Sequence, residues 1–183
     1  TGREAQAGAN QATVDISGEV KLQASDGFEV TTERATFNDA EGVVRATGPL
    51  AFHRGGMTGS GVGMAYDKNK DVLTILDQAT VAFTDEGGRR SMEFSGGAAT
   101  LSRHDHVLVV EHAVHALRGE QAIEADKATA RLTDKDDQIT YLELRGNARV
   151  AGGSTAFDSL NAGDIDLDVD LRPVGVGDIP RGD

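Results

Sequence analysis

The sequence contains no cysteine and no tryptophan, only 3 prolines in 183 residues, and few aromatic side chains, at 4%. The absence of cysteine excludes disulfide bonds, thiolate chemistry and cysteine-bound zinc. Because hydrophobic residues make up only 38% of the chain, a thick globular core is difficult to fill, whereas a thin core between two sheets is easier. The 23 glycines follow no Gly-X-Y period, which excludes collagen.

Positive charge is also scarce, and the formal net charge is -12. This balance argues against nucleic acid as a partner, because phosphate binding needs clustered lysine and arginine. It also argues against flat binding to an anionic membrane surface. No apolar run reaches transmembrane length, and Thr1–Asn10 lacks the pattern of a signal peptide.

A strand-like unit recurs along the chain at intervals of about 30 to 34 residues. Each copy opens with a short segment that ends in an apolar–X–apolar pattern: Glu19–Leu22, Pro49–Phe52, Thr80–Phe83, Val114–Leu117 and Ala148–Val150. A turn and a second strand-like segment follow: Phe28–Phe37, Met57–Tyr66, Met92–Leu101, Ile123–Leu132 and Ala156–Leu171. Turns rich in Asp, Asn and Gly separate the copies, because these residues tolerate left-handed backbone angles. The pattern predicts an all-β chain of about five strand–turn–strand repeats without helices.

The second strands change their side-chain alternation midway. Phe28 and Val30 share one parity, whereas Ala35 and Phe37 share the other. Since a regular strand keeps one parity, the change predicts a bulge or sharp bend in mid-strand. Bent strands that serve two packed sheets are typical of jelly rolls.

The segment from Gly59 to Gly63 carries glycine at every second position. A phosphate-binding Gly-X-Gly-X-X-Gly motif would need glycine at Met64 and a following helix, and neither condition is met. Glycines at period two instead leave one strand face bare, so that another backbone or an acyl chain can approach closely.

We expect neither the histidines nor the aspartates to form a metal site. His104 and His106 would share a face if that segment were extended, but we expect surface histidines and no metal site. Asp164, Asp166, Asp168 and Asp170 alternate with apolar residues. A calcium loop would need glycine at Val169 and glutamate at Gly175, so we expect an amphipathic edge strand. No triad-like motif surrounds the serines or threonines, and we expect neither catalysis nor a cofactor.

The repeat resembles the OstA-like repeat of the periplasmic lipopolysaccharide-transport proteins of the LptA/LptC family. Three segments carry the resemblance: SGEVKLQASDGFEVTTERATFNDAEGVV from Ser17 to Val44, TGPLAFHRGGMTGSGVGMAYDKNKDVLTIL from Thr47 to Leu76, and LRGEQAIEADKATARLTDKDDQITYLELRGNARV from Leu117 to Val150. Together they cover most of Val14 to Val150. The repeated cadence, and no single invariant motif, carries the likeness.

The resemblance implies an OstA-like β-jellyroll of two facing antiparallel sheets, which we expect over residues 14–171 between flexible segments 1–13 and 172–183. It implies a non-enzymatic periplasmic module that shelters the acyl chains of lipopolysaccharide or a similar lipid. The implied partners are other Lpt jellyroll proteins docked head to tail and an inner-membrane ABC transporter. LptC-like members are anchored by an N-terminal helix, which would lie outside this sequence.

We expect the lipid-binding interior to be lined by apolar residues of the repeats: Phe28, Val30, Phe37, Phe52, Met57, Met64, Tyr66, Phe83, Met92, Phe94 and Leu101. Unbranched methionines adapt well to mobile acyl chains. Two alternatives stay open. One is a structural spacer or adhesin stalk with a dry core. The other is a carbohydrate-binding jelly roll, which would normally display more exposed aromatic residues than this chain has.

Overall fold

The computed structural model describes residues 4–7, 13–85, 87–152, 158–168 and 173–176, which form thirteen strands and no helix. None of these residues therefore belongs to a helix long and apolar enough to cross a membrane. The strands are β1 (Glu4–Ala7), β2 (Thr13–Gln23), β3 (Glu29–Asn38), β4 (Val43–Arg54), β5 (Met57–Asp67), β6 (Val72–Thr84), β7 (Arg90–Gly96), β8 (Ala98–Ser102), β9 (Val107–Arg118), β10 (Gln121–Leu132), β11 (Ile139–Ala151), β12 (Ser159–Leu167) and β13 (Pro173–Val176).

The strands form one antiparallel meander in which successive strands pair, apart from β7 and β8, which do not pair with each other. β7 and β8 share one position between β6 and β9 and are separated by Gly97. The predicted repeats correspond to the hairpins β2–β3, β4–β5, β6–β7/β8, β9–β10 and β11–β12. The all-β class is therefore confirmed. β1 and β13 lie outside the range 14–171. The predicted domain boundaries stay a prediction.

A line of backbone irregularities crosses the middle of the long strands. Register shifts fall between Ser17 and Val20, Thr32 and Thr36, Ala46 and Pro49, Ser60 and Val62, Ala125 and Lys127, and Arg145 and Ala148. Left-handed residues lie on the same line: Gly18, Gly63, Gln78, His112, Ala113, Gly146 and Asn147. The mid-strand bulge predicted from the parity change is thus confirmed, and we call this line the crease.

The crease divides every long strand between two half-sheets that enclose one hydrophobic core. Half-sheet A contains residues 20–23, 29–32, 49–62, 79–84, 90–96, 114–125, 148–151 and 159–162. Half-sheet B contains residues 13–17, 35–46, 64–77, 98–111, 128–145 and 164–167. The parity change is what keeps apolar residues inward on both sides of the crease. In β3, for example, Val30 and Ala35 are both buried.

The last predicted strand is amphipathic, but it is not an edge. Within β12, Ile165 and Leu167 are fully buried while Asp164 is exposed. β13 pairs with Ile165 and Leu167 from the side opposite β11. The expectation of an edge strand was wrong because β12 has a paired strand on each side, β11 and β13. The predicted strand limits Ala156 and Leu171 lie outside the described residues.

Ala113 lies on the crease in a strained backbone conformation, and a substitution can test that strain. It is exposed and has a φ of 56°, next to His112 at 68°. This left-handed conformation costs a residue with a Cβ about 1–2 kcal/mol, whereas glycine adopts it freely. We expect Ala113→Gly to raise the melting temperature by a few degrees, roughly 2–4 °C per kcal/mol gained. The matched control is Ala51→Gly, at an exposed β4 position without positive φ, which should lower it. A loss of stability in Ala113→Gly would contradict the strain.

Candidate functional site

The space between the half-sheets is the candidate site, because most of the chain's apolar side chains converge on it. Phe83 and Phe94 meet there edge to face, with ring centroids 6.3 Å apart. Phe28 lies against Phe52 at 6.0 Å and against Tyr66 at 5.9 Å. The aromatic rings and the methionines thus come from the first repeats, whereas β9 to β12 supply smaller aliphatic residues.

The predicted lining residues all face this space. The buried ones are Phe28, Val30, Phe52, Met57, Met64, Phe83, Met92, Phe94 and Leu101, each at most 4% exposed. Phe37 and Tyr66 are partly buried and pack against the same cluster. The structure therefore brings all of these side chains together.

The sequence reasoning missed the second half of the interior. Comparably buried residues on β9 to β12 are Leu108, Val110, Val114, Ile123, Leu142, Leu144, Ile165 and Leu167. Period-two alternation within Leu142-Glu143-Leu144 and Ile165-Asp166-Leu167 could have identified several of them.

The alternating glycines of β5 make room for neighbouring groups. A Cβ on Gly59 would lie 2.1 Å from the Phe52 ring and 2.8 Å from the Thr80 carbonyl oxygen. A Cβ on Gly61 would lie 2.3 Å from Cγ2 of Ile75. The bare face predicted from the sequence is present, and side chains and backbone of adjacent strands occupy it.

Opposite the crease, turns of the two half-sheets are joined by a network of charged groups that we call the ionic seam. Its members are Asp26, Arg54, Asp71, Arg103, His106 and Asp136. Arg103 forms ion pairs with Asp26 of the β2–β3 turn and, at 2.9 Å, with Asp71 of the β5–β6 turn. Its guanidinium also lies over the Phe28 ring, 4.3 Å from the centroid. Residues far apart in the strand order are therefore held together.

A second part of the ionic seam surrounds Asp136, whose side chain is completely buried. Arg54 forms an ion pair with its Oδ2, and His106 Nδ1 lies 2.7 Å from its Oδ1. Arg54 also reaches Asp26, at 3.2 Å, which links both parts of the network. Because buried carboxylates are costly unless paired, these contacts are needed to keep Asp136 in place.

The seam alters the pKa values of two of the groups in and beside it. Burial alone would raise the pKa of Asp26, but the backbone N–H of Phe28 and the guanidiniums of Arg103 and Arg54 outweigh it and lower that pKa. A depressed acid stabilises the fold above its ordinary pKa, and this contribution is lost as the pH falls through the folded-state value. Burial, and then the hydrogen bond that Tyr66 donates to Asp71 at 2.8 Å, raise the pKa of Tyr66 to about 12.

Beside the ionic seam, the side opposite the crease has an opening of about 490 Å³. Phe83 and Met92 of half-sheet A and Ile139 of half-sheet B line it, and Arg89 and Arg118 stand at the same opening. Gln138, which also lines it, lies two residues from Asp136 of the seam. The opening therefore leads from solvent to interior apolar side chains at a point next to the ionic seam.

The histidine pair does not have the geometry on which a metal reading depends. Residues 103–106 form a turn, so His104 and His106 do not lie on one face of an extended strand. His106 faces Asp136 instead. Among the described residues, no group of three or more histidine, aspartate or glutamate side chains is arranged to hold a metal ion.

This architecture, a creased antiparallel meander around an apolar interior, defines the class of OstA-like β-jellyrolls. The crystal structure of LptH from Pseudomonas aeruginosa, described as the LptA-homologous periplasmic component of the lipopolysaccharide transport device, matches with a TM-score of 0.54. The match covers 64% of this chain and 85% of that chain at 16% sequence identity, and it establishes the fold.

Residues 1–85 match the family model described as "Lipopolysaccharide-assembly, LptC-related". Together with the fold, this match bears out the resemblance seen in the sequence: the chain is similar to proteins of the LptA/LptC family. A search of curated protein sequences finds no significant match.

Proposed function

We propose that this protein is a non-enzymatic periplasmic module of lipopolysaccharide transport that shelters acyl chains between its half-sheets. The observation that carries the proposal is a single apolar interior that reaches solvent at a side opening lined by Phe83, Met92 and Ile139. The LptC-related family match supports the transport role and the periplasmic location. The proposed lining is the set of inward residues predicted from the sequence, extended by those of β9 to β12.

The side chains of the interior suit a mobile apolar ligand. Met57 lies opposite Phe83 in the sheet, and Phe83 lies opposite Met92. Methionine is flexible and fills irregular spaces, so this row can repack when acyl chains enter between the half-sheets. The polar outer faces of the described strands would remain in solvent while the interior repacks.

The sheet edges support head-to-tail docking on other jellyroll proteins. In the part of the chain that the structure describes, β1 pairs only with β2 and β13 only with β12. Each terminal strand therefore presents a row of backbone groups that a strand of another protein can pair with. An Lpt jellyroll on either side, and an inner-membrane ABC transporter at one end of the chain of modules, are the proposed partners.

A structural spacer with a dry core is the second candidate function. The nearly complete burial of Phe83, Phe94 and Leu142 favours it, since a permanently closed core would be packed to this degree. The two functions differ in whether lipid ever reaches these side chains.

Site-specific photocrosslinking distinguishes them. We expect a benzophenone amino acid in place of Phe83 or Phe94 to crosslink labelled lipopolysaccharide on irradiation, because both rings face the interior. The same group in place of Thr58 or Leu117, which are exposed on the outer face, should give little product.

Each variant is first checked for a melting temperature near that of the unmodified protein. Equal crosslinking at inward and outward positions would indicate non-specific surface association. Failure of every folded inward variant to crosslink would favour the spacer.

A further inference from the structure

The two half-sheets are joined by continuous strands along the crease and by the ion pairs of the ionic seam on the opposite side. Two of these pairs cross between the half-sheets, and they do so in opposite directions. Arg54 of half-sheet A reaches Asp136 of half-sheet B, while Arg103 of half-sheet B reaches Asp26, in the turn that joins two strands of half-sheet A. The arrangement is that of a hinge with a clasp facing it.

We propose that the ionic seam is a latch, which is closed in this structure and which opens to give access to the interior of the first repeats. The inference rests on the proposed function and deepens it by assigning control of access to two crossing ion pairs, Arg54–Asp136 and Arg103–Asp26. On release, the half-sheets would rotate apart about the crease while the strand pairing within each half-sheet persists.

The seam covers the aromatic part of the interior directly. The Arg103 guanidinium lies over the Phe28 ring, and that ring lies against Phe52 and Tyr66. Phe28 and Phe52 are each only 3% exposed. The Tyr66 hydroxyl donates to Asp71, which also pairs with Arg103. An acyl chain that approaches from this side therefore meets the Arg103 guanidinium before it meets the rings.

The chemistry of the seam suits reversible closure. The side chains of Arg54 and Arg103 are only 16% and 6% exposed, so closing the seam removes charged groups from water at a cost that largely offsets the gain from pairing. Opening restores their hydration, whereas opening an apolar contact of the same size would expose hydrophobic surface to water. An ionic closure therefore keeps the open conformation accessible as a minor state.

The crease has the backbone features of a hinge. Gly63 and Gly146 lie on it with φ angles of 74°, and glycine changes its backbone angles at little cost. Between β6 and β9 no single strand crosses it, because Gly97 separates β7 of half-sheet A from β8 of half-sheet B. A few such residues are enough to absorb the dihedral changes of a hinge motion.

The distance between the half-sheets can be measured with spin labels on introduced cysteines, because the chain has none of its own. Ala51→Cys/Lys135→Cys places one label at an exposed position of each half-sheet. Lys70→Cys/Lys135→Cys places both labels on half-sheet B and reports whether that half-sheet keeps its shape. Each pair is introduced into the wild-type protein and into the variants below.

The seam-broken variant, Asp26→Asn/Arg54→Met/Asp136→Asn, removes both crossing pairs together with the buried carboxylate, and Arg103 keeps its pair with Asp71. We expect the distance between the half-sheets to lengthen and the distance within half-sheet B to stay the same. Fluorescently labelled lipopolysaccharide should associate with this variant about tenfold or more faster than with the wild type, because access scales with the open population. A seam that served stability alone would leave association unchanged or slower.

The control Glu41→Gln/Arg45→Met/Glu111→Gln makes the same change in net charge at exposed pairs and should leave both distances and the association rate unchanged. Faster association in the control would indicate a general charge effect and overturn the latch. So would a changed distance within half-sheet B of the seam-broken variant, since the crossing pairs would then maintain the fold itself.

Two further outcomes separate the latch from the proposed function. Lipopolysaccharide binding with an unchanged distance between the half-sheets of the seam-broken variant would overturn only the latch. Separated half-sheets without faster association would show that the seam does not control access. Failure of both the wild type and the seam-broken variant to bind lipopolysaccharide would overturn the proposed function and the gating role with it.

Discussion

Replacing Arg54 by methionine should lower the free energy of unfolding by about 3–5 kcal/mol, because it leaves a buried carboxylate without its guanidinium partner. The Asp136 side chain is completely buried and that of Arg54 is 16% exposed. Of its two charged partners among the described residues, His106 would remain beside the carboxylate. For a domain of this length the melting temperature should fall by roughly 6–20 °C. The measurement is thermal and urea unfolding of the variant beside the wild type.

Two controls separate the buried pair from a general loss of charge. Arg45→Met removes an exposed pair with Glu41, in which both side chains are about half exposed, and should cost no more than about 1 kcal/mol. The double variant Arg54→Met/Asp136→Asn removes both charges and should recover much of the lost stability. If Arg54→Met costs no more than Arg45→Met, the ionic seam does not hold the half-sheets together.

Glutamate should destabilise the fold at one interior position, Met64, and leave the protein folded at another, Phe83. Met64 is 1% exposed and does not border the opening, so Met64→Glu buries an unpaired charge and should cost about 4 kcal/mol or more. Phe83 is equally buried but lines the opening. The new carboxylate of Phe83→Glu can reach solvent there, so this variant should stay folded and lose lipid binding. Thermal melting and lipopolysaccharide binding are measured on both variants.

Phe83→Leu is the matched control, because it keeps an apolar side chain at the opening and should retain binding. Unfolding of both glutamate variants would favour the dry-core spacer. Two folded variants that still bind lipid would mean that the acyl chains do not run past these residues.

The repeat pattern was enough to predict most of the strands and, in the first three repeats, which of their residues face inward. The parity change between Val30 and Ala35 also predicted the bend that becomes the crease. These features follow from the period-two geometry of a strand, which depends only on near neighbours in the chain. The same alternation is present in β11 and β12 and is sufficient to predict that Leu144 and Ile165 also face inward.

The ionic seam and the opening beside it were beyond the reach of that reasoning. Asp26 and Arg103 are 77 residues apart, and each sits in a turn where polar residues are ordinary. Their contact depends on how closely the twisted half-sheets bring turns from distant repeats together. That distance is set by the twist accumulated over many strand pairings. The sequence by itself therefore determined the strands, the bend and the apolar inner face. Only the tertiary structure decided where charged turns close the side opposite the crease and where that side stays open, because those contacts join residues that no local pattern relates.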